Sequence, residues 1–300
     1  MANITFQADR CSECGLCVEN CHEGALRLVD SDFKRDQLVC DGCAHCVAIC
    51  PQRALSWQGM PAVSFERSQL PSRDQLLELF QERRSIRAFK QTAIERALLQ
   101  EIATCGVYAP THNHIFTVII IDAPELIAEL DGAILSVNNR IYRLIYRNWL
   151  VRNPVIMALA NLLGFGDDFR KAEPKLENVL RRGSTFSSTP AAILLVVGRK
   201  NVPLAEASAQ YALANMMYYA QLNGVGTCLW GNASLFLDKN RSIRQRLGLA
   251  SYQRIYGGLF MGYPRVRFSN KVSGKALPVR WNTAQSCDFL LAEGSERLLN

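Results

Sequence analysis

Cysteine is the residue type whose spacing most clearly indicates chemistry in this chain. Eight of its 11 cysteines lie in residues 11–50, in two runs of C-x2-C-x2-C-x3-C. The runs are Cys11, Cys14, Cys17 and Cys21, followed by Cys40, Cys43, Cys46 and Cys50. Thiolates are soft ligands that suit both iron–sulfur clusters and zinc. Because zinc sites usually combine two C-x-x-C pairs, two runs of four favour 4Fe-4S clusters, with structural zinc as the alternative.

The two runs resemble those of bacterial two-cluster ferredoxins, in which the fourth cysteine of each run binds the other cluster. The resemblance implies a small ferredoxin-like domain at residues 1–60 that holds two 4Fe-4S clusters. It implies that the first ligand set is Cys11, Cys14, Cys17 and Cys50. The second ligand set is then Cys21, Cys40, Cys43 and Cys46. Neither His22 nor His45 is expected to be a ligand.

A second group of polar side chains follows a predicted helix. Residues 72–75 have the pattern of a capping box, and the apolar residues from Leu76 to Phe80 favour a helix that ends near Arg83. After it, three guanidiniums and a hydroxyl that could bind a phosphate come from Arg83, Arg84, Ser85 and Arg87. An ordinary solvated surface is the simpler interpretation of such a charge run.

Further segments occur in a fixed order after this motif. They are Ala109-Pro110-Thr111-His112-Asn113, residues 223–231 (NGVGTCLWG), and Gly262-Tyr263-Pro264, followed by Lys271, Lys275 and Val279-Arg280-Trp281. Together with residues 83–87 they resemble the nitroreductase family of FMN enzymes over about residues 74–282. The resemblance implies an α+β fold in which a nitroreductase-like mixed sheet is surrounded by helices. That domain is expected at residues 74–300, after a linker at 61–73.

The resemblance also implies roles for single residues. The residues expected to contact the flavin phosphate, ribityl chain and pyrimidine edge are Arg83, Arg84, Ser85 and Arg87. Asn113 is expected to bind the isoalloxazine ring. The backbone of Trp230, Gly231 and Asn232 is expected to approach the N5 atom of that ring. Lys271 or Lys275 is expected to add positive charge near the phosphate. No catalytic residue is assigned. His112 and His114 are the candidate proton donors, because their reference pKa is near neutral. An intertwined homodimer with FMN at the interface is implied as well.

The elements that would position these groups are partly visible in the sequence. Residues 116–121 and 191–197 are short, β-rich and flanked by turn residues, and therefore predict strands. Residues 205–222 predict a helix closed by Asn223-Gly224, and a long helical segment is expected between the two strands. Cys105, Cys228 and Cys287 are expected to be small buried hydrophobic residues.

Residues 136–184 carry nine basic and four acidic side chains, interleaved with aromatic and apolar ones. The resemblance implies that this segment is a lid over the flavin, and its charge would suit an anionic or aromatic substrate. Docking of residues 1–60, which hold five basic and eight acidic residues, is a second interpretation. Contact with an anionic membrane surface is a third, less favoured one. Nucleic acid is not expected as a partner, since no groove-reading motif accompanies the charge.

Composition excludes several classes of protein. With 49% hydrophobic and 20% charged residues, the chain predicts a packed globular protein. Its longest mainly apolar run without charge, residues 154–165, is shorter than the roughly 20 residues that a membrane-spanning helix needs. Residues 1–10 have no signal-peptide pattern, so a cytoplasmic location is predicted, where thiols stay reduced.

These features predict an FMN-dependent oxidoreductase that takes electrons through two 4Fe-4S clusters from a low-potential donor such as ferredoxin. The expected acceptor is a small electrophile, such as a nitroaromatic, a quinone-like compound or an enone. NAD(P)H stays open as the donor, although no G-x-G-x-x-G motif opens a βαβ unit. The alternative is an electron-transfer or redox-sensing module that serves a protein partner and has no small-molecule substrate.

Overall fold

The computed structural model describes residues 4–29, 32–110, 116–148, 153–155, 166–272, 279–282 and 287–290, with 166–171 and the last two ranges described by their backbone only. Within these residues the chain forms a small N-terminal domain and a larger α+β domain, which confirms the predicted fold class. No helix in these ranges is both long and apolar enough to span a bilayer.

The N-terminal domain consists of short strands and two short helices. These elements are β1 (Ile4–Phe6), α1 (Leu16–Glu19), β2 (Leu26–Val29), β3 (Asp32–Arg35), α2 (His45–Ile49), β4 (Leu55–Trp57) and β5 (Met60–Pro61). β4 pairs in antiparallel fashion with both β1 and β5, and β2 pairs with β3. Because Pro61 is opposite Ser56 in this sheet, the first residue of the expected 61–73 linker belongs to the N-terminal domain.

The two cysteine runs have the same backbone conformation. Positive φ angles occur at Glu13 (55°) and Gly15 (73°) in the first run and at the equivalent Gly42 (71°) and Ala44 (60°) in the second. Such angles are uncommon for residues other than glycine. Gly15 and Ala44 are also the N-cap residues of α1 and α2. The sequence repeat is therefore also a repeat of loop geometry, and the thiols of the two runs are carried on loops of similar backbone conformation.

The larger domain begins with the predicted helix. α3 (Arg73–Glu82) has Ser72 as its N-cap, and the Gln75 amide donates to Ser72 Oγ at 3.2 Å while the Ser72 amide donates to Gln75 Oε1 at 2.8 Å. The predicted capping box is thus confirmed. No residue of α3 is buried, and Leu77 and Phe80 stay 50% and 47% exposed.

A four-stranded sheet forms the centre of the larger domain. Its strands are β6 (Thr117–Ile121), β7 (Ala192–Arg199), β8 (Gly226–Leu229) and β9 (Gln253–Gly262), in the order β6-β7-β9-β8 with antiparallel neighbours. β6 and β7 confirm the two strands that the sequence predicts. A separate antiparallel pair is formed by β10 (Val279–Asn282) and β11 (Cys287–Leu290).

The described helices around the sheet are α4 (Arg96–Thr104), α5 (Pro124–Ile141), α6 (Gly166–Arg182), α7 (Ala205–Leu222), α8 (Gly231–Phe236) and α9 (Arg241–Arg246). A π-helical turn, Tyr142–Tyr146, extends α5. α7 has the predicted bounds. Asn223 is its C-cap residue, and Gly224 follows with a φ of 72°. Glycine adopts this left-handed conformation without steric cost and therefore commonly follows the end of a helix.

Both faces of the sheet are covered. Leu194 and Val196 of β7 belong to a core with α4 and α7, whereas Leu195 and Val197 belong to a second core with α5. Successive side chains of a strand point to opposite faces, so the unbroken apolar run of β7 fits a strand buried on both sides. This sandwiched sheet is the rigid base on which the candidate site is built.

Candidate functional site

The structure gathers the eight N-terminal cysteines into two groups of four. Cys11, Cys14, Cys17 and Cys50 border one cavity, whose other lining residues all lie between Phe6 and Leu55. Cys21, Cys40, Cys43 and Cys46 border a second cavity of about 510 Å³. These are the two sets that crossed ligation implies, so the fourth cysteine of each run lies beside the triplet of the other.

The surroundings of the thiols suit iron–sulfur ligation. The Glu13 amide donates to Cys11 Sγ at 3.4 Å, and the Ala54 amide donates to Cys50 Sγ at 3.3 Å. Hydrogen bonds of this kind tune the potential of a cluster. No three Cys, His, Asp or Glu side chains of the described residues are gathered around the position of a single ion. Four sulfurs do border each cavity, the number that a 4Fe-4S cluster requires.

Burial alone would keep some of these thiols protonated. It raises the pKa of Cys46 to about 11, and the neighbouring Cys43 and Cys40 add a smaller upward effect. Burial also raises the pKa of Cys17. Cluster ligands must be thiolates, so assembly has to release protons from these groups.

The segment that carries Arg83, Ser85 and Arg87 is fixed to the edge of the sheet. The Ile86 amide donates to the Thr227 carbonyl of β8 at 3.0 Å, and the Lys90 amide donates to the Tyr263 carbonyl at 2.8 Å. A Cβ atom on Gly226 would lie 2.7–2.8 Å from side-chain atoms of Ile86. Gly226 therefore permits a close approach that a larger residue would block.

Three of the four predicted phosphate contacts lie on one side of this segment. Cys228 of β8 is buried and interacts with Ser85, Arg87 and Arg83. Burial raises the pKa of its thiol, against the opposing effects of the Arg87 charge and the Ser85 hydrogen bond. The prediction that Cys228 is a small buried residue is confirmed. Cys105, for which the same was predicted, is only half-buried, although burial raises its thiol pKa as well. The side chain of Cys287 lies outside the described residues.

Arg84 lies apart from the other three. Its guanidinium donates to the Gln81 carbonyl at 2.6 Å and to the Arg83 carbonyl at 2.9 Å, so it caps the end of α3. It also lines a cavity of about 530 Å³ together with Lys90, Arg265 and Arg267. Alternate residues of an extended segment point to opposite sides, which separates Arg84 from Ser85 and Arg87. Of the residues predicted to contact the flavin phosphate, ribityl chain and pyrimidine edge, Arg83, Ser85 and Arg87 thus lie on one side of the segment and Arg84 on the other.

Trp230, Gly231 and Asn232 follow β8 directly, beside Cys228. The Trp230 amide donates to the Gly258 carbonyl at 2.8 Å, so it is not available to a flavin. Gly231 and Asn232 open α8, where the first amides of a helix have no partner within it. The Trp230 ring is buried and lies 5.3 Å from that of Phe186. Phe186 is therefore a core residue that packs against the Trp230 ring.

Several predicted residues lie elsewhere or outside the described residues. Lys271 pairs with Glu78 of α3, and both side chains are more than half exposed. The predicted residues outside the described residues are His112, Asn113, His114 and Lys275. Trp149 of the basic segment is also outside them.

The second cysteine cavity is also lined by residues of the larger domain, of which the sequence analysis singled out only Pro110. Pro110, Leu204, Ala207, Ser208 and Tyr211 of the larger domain line it, together with the second ligand set. No described residue of 136–184 lines either cysteine cavity. Mostly small or apolar residues at the start of a helix give no chemical signal in a sequence, so only the tertiary structure reveals this contact.

Comparisons with known proteins divide the chain in the same way. Residues 7–55 match the model of the 4Fe-4S dicluster domain, and residues 80–263 match that of the nitroreductase family. A component of the ion-translocating oxidoreductase complex of Methanosarcina acetivorans is 42% identical over 45 residues. That match covers 15% of this chain and only 17% of the curated relative.

Solved structures with a similar fold include two nitroreductases with bound FMN. The one from Bacteroides fragilis is 17% identical and has a TM-score of 0.48, over 68% of this chain and 98% of that chain. The one from Desulfitobacterium hafniense is 19% identical and has a TM-score of 0.47, over 65% and 92%. The chain thus carries an N-terminal 4Fe-4S dicluster domain, and its larger domain has the nitroreductase-like fold. By the family match over most of its length, the chain belongs to the nitroreductase family.

Proposed function

We propose that this chain is an FMN-dependent oxidoreductase that takes electrons through two 4Fe-4S clusters and reduces a small electrophilic substrate. The donor is a low-potential carrier such as ferredoxin. The acceptor class comprises nitroaromatic, quinone-like and enone compounds. The proposal places the protein in the cytoplasm, because a reducing compartment keeps the eight thiols available for clusters.

The observation that carries the proposal is the grouping of eight cysteines into two sets of four within one chain of the nitroreductase family. A family member that needed only a diffusing reductant would have no use for two such sets. When bound, the clusters carry single electrons, and FMN collects them and passes them on as a hydride.

The residues beside β8 suit a flavin phosphate. Arg83 and Arg87 supply positive charge and Ser85 supplies a hydroxyl, and hydrogen bonds to β8 and to Tyr263 hold the segment in place. Guanidiniums on a fixed backbone bind phosphate through paired, charge-assisted hydrogen bonds. The opening amides of α8, at Gly231 and Asn232, are the donors that we assign to the flavin ring. Trp230 and Phe186 close the core beneath them and keep water from that side.

Cofactor content is the first test of this proposal. Protein purified without oxygen should contain FMN and about eight irons per chain, the number that two 4Fe-4S clusters require. Reduced ferredoxin, added without substrate, should bleach the flavin. Bleaching by NAD(P)H but not by ferredoxin would overturn the assigned donor, and colourless protein would overturn both cofactor assignments.

A double variant tests the phosphate site separately. Arg83→Ala with Ser85→Ala removes one charge and one hydroxyl that face Cys228 and leaves the N-terminal domain unchanged. We expect FMN to be lost on gel filtration while the iron content stays the same. Flavin retained at the level of the unmodified protein would contradict the assignment.

We further propose that the protein is a homodimer. The support is the apolar side of α3, where Leu76, Leu77 and Phe80 are each at least 40% exposed. An exposed apolar patch of this kind commonly marks an interface. Leu77→Glu should convert a dimer to a monomer in analytical ultracentrifugation. A monomer at all concentrations in the unmodified protein would refute the proposal.

A further inference from the structure

We propose that the two cysteine sets have different positions in the electron path, an inference that rests on the function proposed above. The second set, Cys21, Cys40, Cys43 and Cys46, delivers electrons to the flavin domain. The first set, Cys11, Cys14, Cys17 and Cys50, receives them from the donor. The surface that accepts the second set is formed by Pro110, Leu204, Ala207 and Tyr211, and is called the contact face below.

The two cavities differ in what surrounds them. Every residue that lines the cavity of the first set belongs to the N-terminal domain. The cavity of the second set is shared, since residues of the contact face line it opposite the thiols. Electron tunnelling weakens steeply with distance, so a cluster at a shared boundary is the efficient point of exit.

The contact face carries apolar side chains that are exposed to solvent, where polar residues would be expected. Leu204 is 72% exposed and Tyr211 is 53% exposed, yet both border the shared cavity. Leu204 is the N-cap of α7 and has a φ of 59°, which is uncommon for a branched residue. Asp41 and Glu23 of the N-terminal domain lie across the cavity. Nonpolar side chains beside a cluster lower the local dielectric around it.

The contact face is connected to the proposed flavin site through one helix. α7 begins at the contact face and packs against β8 and β9. β8 carries Cys228, which adjoins Ser85 and Arg87. Pro110 follows the helical turn Cys105–Tyr108, which also packs on α7. The second set therefore borders a helix that packs on the strand of the proposed flavin site, whereas every residue that lines the cavity of the first set belongs to the N-terminal domain.

The electron balance of this arrangement is simple. Each transfer removes one electron from the second cluster and adds one to the flavin, and the first cluster then restores the second from the external donor. Two such transfers, with two protons from solvent, reduce the flavin fully.

Two matched variants separate the sets. Cys14 and Cys43 occupy the same place in the two runs, and both are exposed. Cys14→Ala and Cys43→Ala should each lower the iron content by about half, since each removes a ligand of one cluster. Reduced methyl viologen is mixed with each variant without oxygen, and flavin absorbance is followed with electron paramagnetic resonance of the remaining cluster. A variant with both changes gives the direct reaction of the reagent with the flavin.

We expect flavin reduction in Cys43→Ala to be at least about tenfold slower than in Cys14→Ala, a difference of about 1.4 kcal/mol in barrier. In Cys43→Ala the remaining cluster should be reduced while the flavin is still oxidised. Equal rates in the two variants, or the reverse order, would overturn the assignment.

A variant with intact cysteines tests the contact face directly. Tyr211→Glu places a negative charge opposite Asp41 and Glu23, and Tyr252→Glu is the control, since Tyr252 is 59% exposed and does not line the cavity. Iron and FMN content should be normal in both. Tyr211→Glu alone should slow flavin reduction by reduced ferredoxin and raise amide exchange at residues 204–211. Unchanged rate and exchange in Tyr211→Glu would refute the contact face.

Failure of this inference is distinguishable from failure of the proposed function. If the unmodified protein holds FMN and both clusters and its flavin is bleached by ferredoxin, the proposed function stands. The paired variants then decide only the order of the two sets.

Discussion

The two domains of this protein are stabilised in different ways. Among the described residues of the N-terminal domain, the core cluster has four buried members, Leu26, Cys46, Val47 and Leu55, and one of them is a proposed metal ligand. The larger domain has extensive apolar cores on both faces of its sheet. Small domains bury too little apolar surface to be stable alone and commonly depend on metals or disulfides. The comparison indicates that the N-terminal fold depends on its clusters and the larger fold on packing.

Removal of the clusters should produce the largest difference in stability between the two domains. Treatment with an iron chelator and an oxidant takes away the bonds that join the two cysteine runs, so the N-terminal domain should lose its structure. Hydrogen exchange should show loss of protection in residues 4–57, while β7 and β9 stay protected. A single transition that unfolds both domains together would contradict the separation.

Core truncation should affect the larger domain instead. Leu195 is fully buried in β7, and Leu195→Ala should lower the free energy of unfolding by about 2–5 kcal/mol. Chemical denaturation followed by flavin fluorescence measures this loss. The iron content and the visible spectrum of the clusters should not change, since Leu195 belongs to the core shared with α5. A parallel loss of iron would show that the cluster domain depends on this core.

A substitution at Gly226 tests the close contact between residues 83–87 and β8. In Gly226→Ala the new methyl group would lie within 3 Å of Ile86, so we expect a loss of about 1–3 kcal/mol in stability. FMN affinity should fall too, because Ser85 and Arg87 flank Ile86. Gly132→Ala in α5 is the control, since a Cβ there meets nothing within 4 Å. Equal effects of the two changes would contradict the close approach.

The smallest expected effect is that of Arg84→Ala, which is compared with Arg87→Ala to test the two faces of residues 83–87. Arg87→Ala should weaken FMN binding by about 1.5–3 kcal/mol, the usual contribution of a hydrogen bond to a charged group. Arg84→Ala should weaken it much less, because the Arg84 side chain caps α3. Fluorescence titration of the protein freed of flavin measures both affinities. Equal losses of FMN affinity in the two variants would show that Arg84 contributes to the phosphate site as much as Arg87 does.

Local signals in the sequence were sufficient for several elements. The capping box at Ser72 predicted the start of α3, and Asn223-Gly224 predicted the end of α7, because these residues satisfy helix termini through contacts a few positions away. The repeated cysteine spacing predicted two thiol sites, and the resemblance to two-cluster ferredoxins implied the two groups of four cysteines that the structure brings together. All of these depend on residues close in sequence or on a strict repeat.

The order of residues along the chain was enough to predict the family, the two domains and the residue types of both candidate sites, since spacing and short motifs carry this information. Which side chains face one another was decided by the folded arrangement alone. It separated Arg84 from Ser85, and it placed Leu204 and Tyr211 beside one cysteine set and not the other. These outcomes depend on the direction of side chains and on contacts between residues far apart in the chain, and no local pattern encodes such contacts.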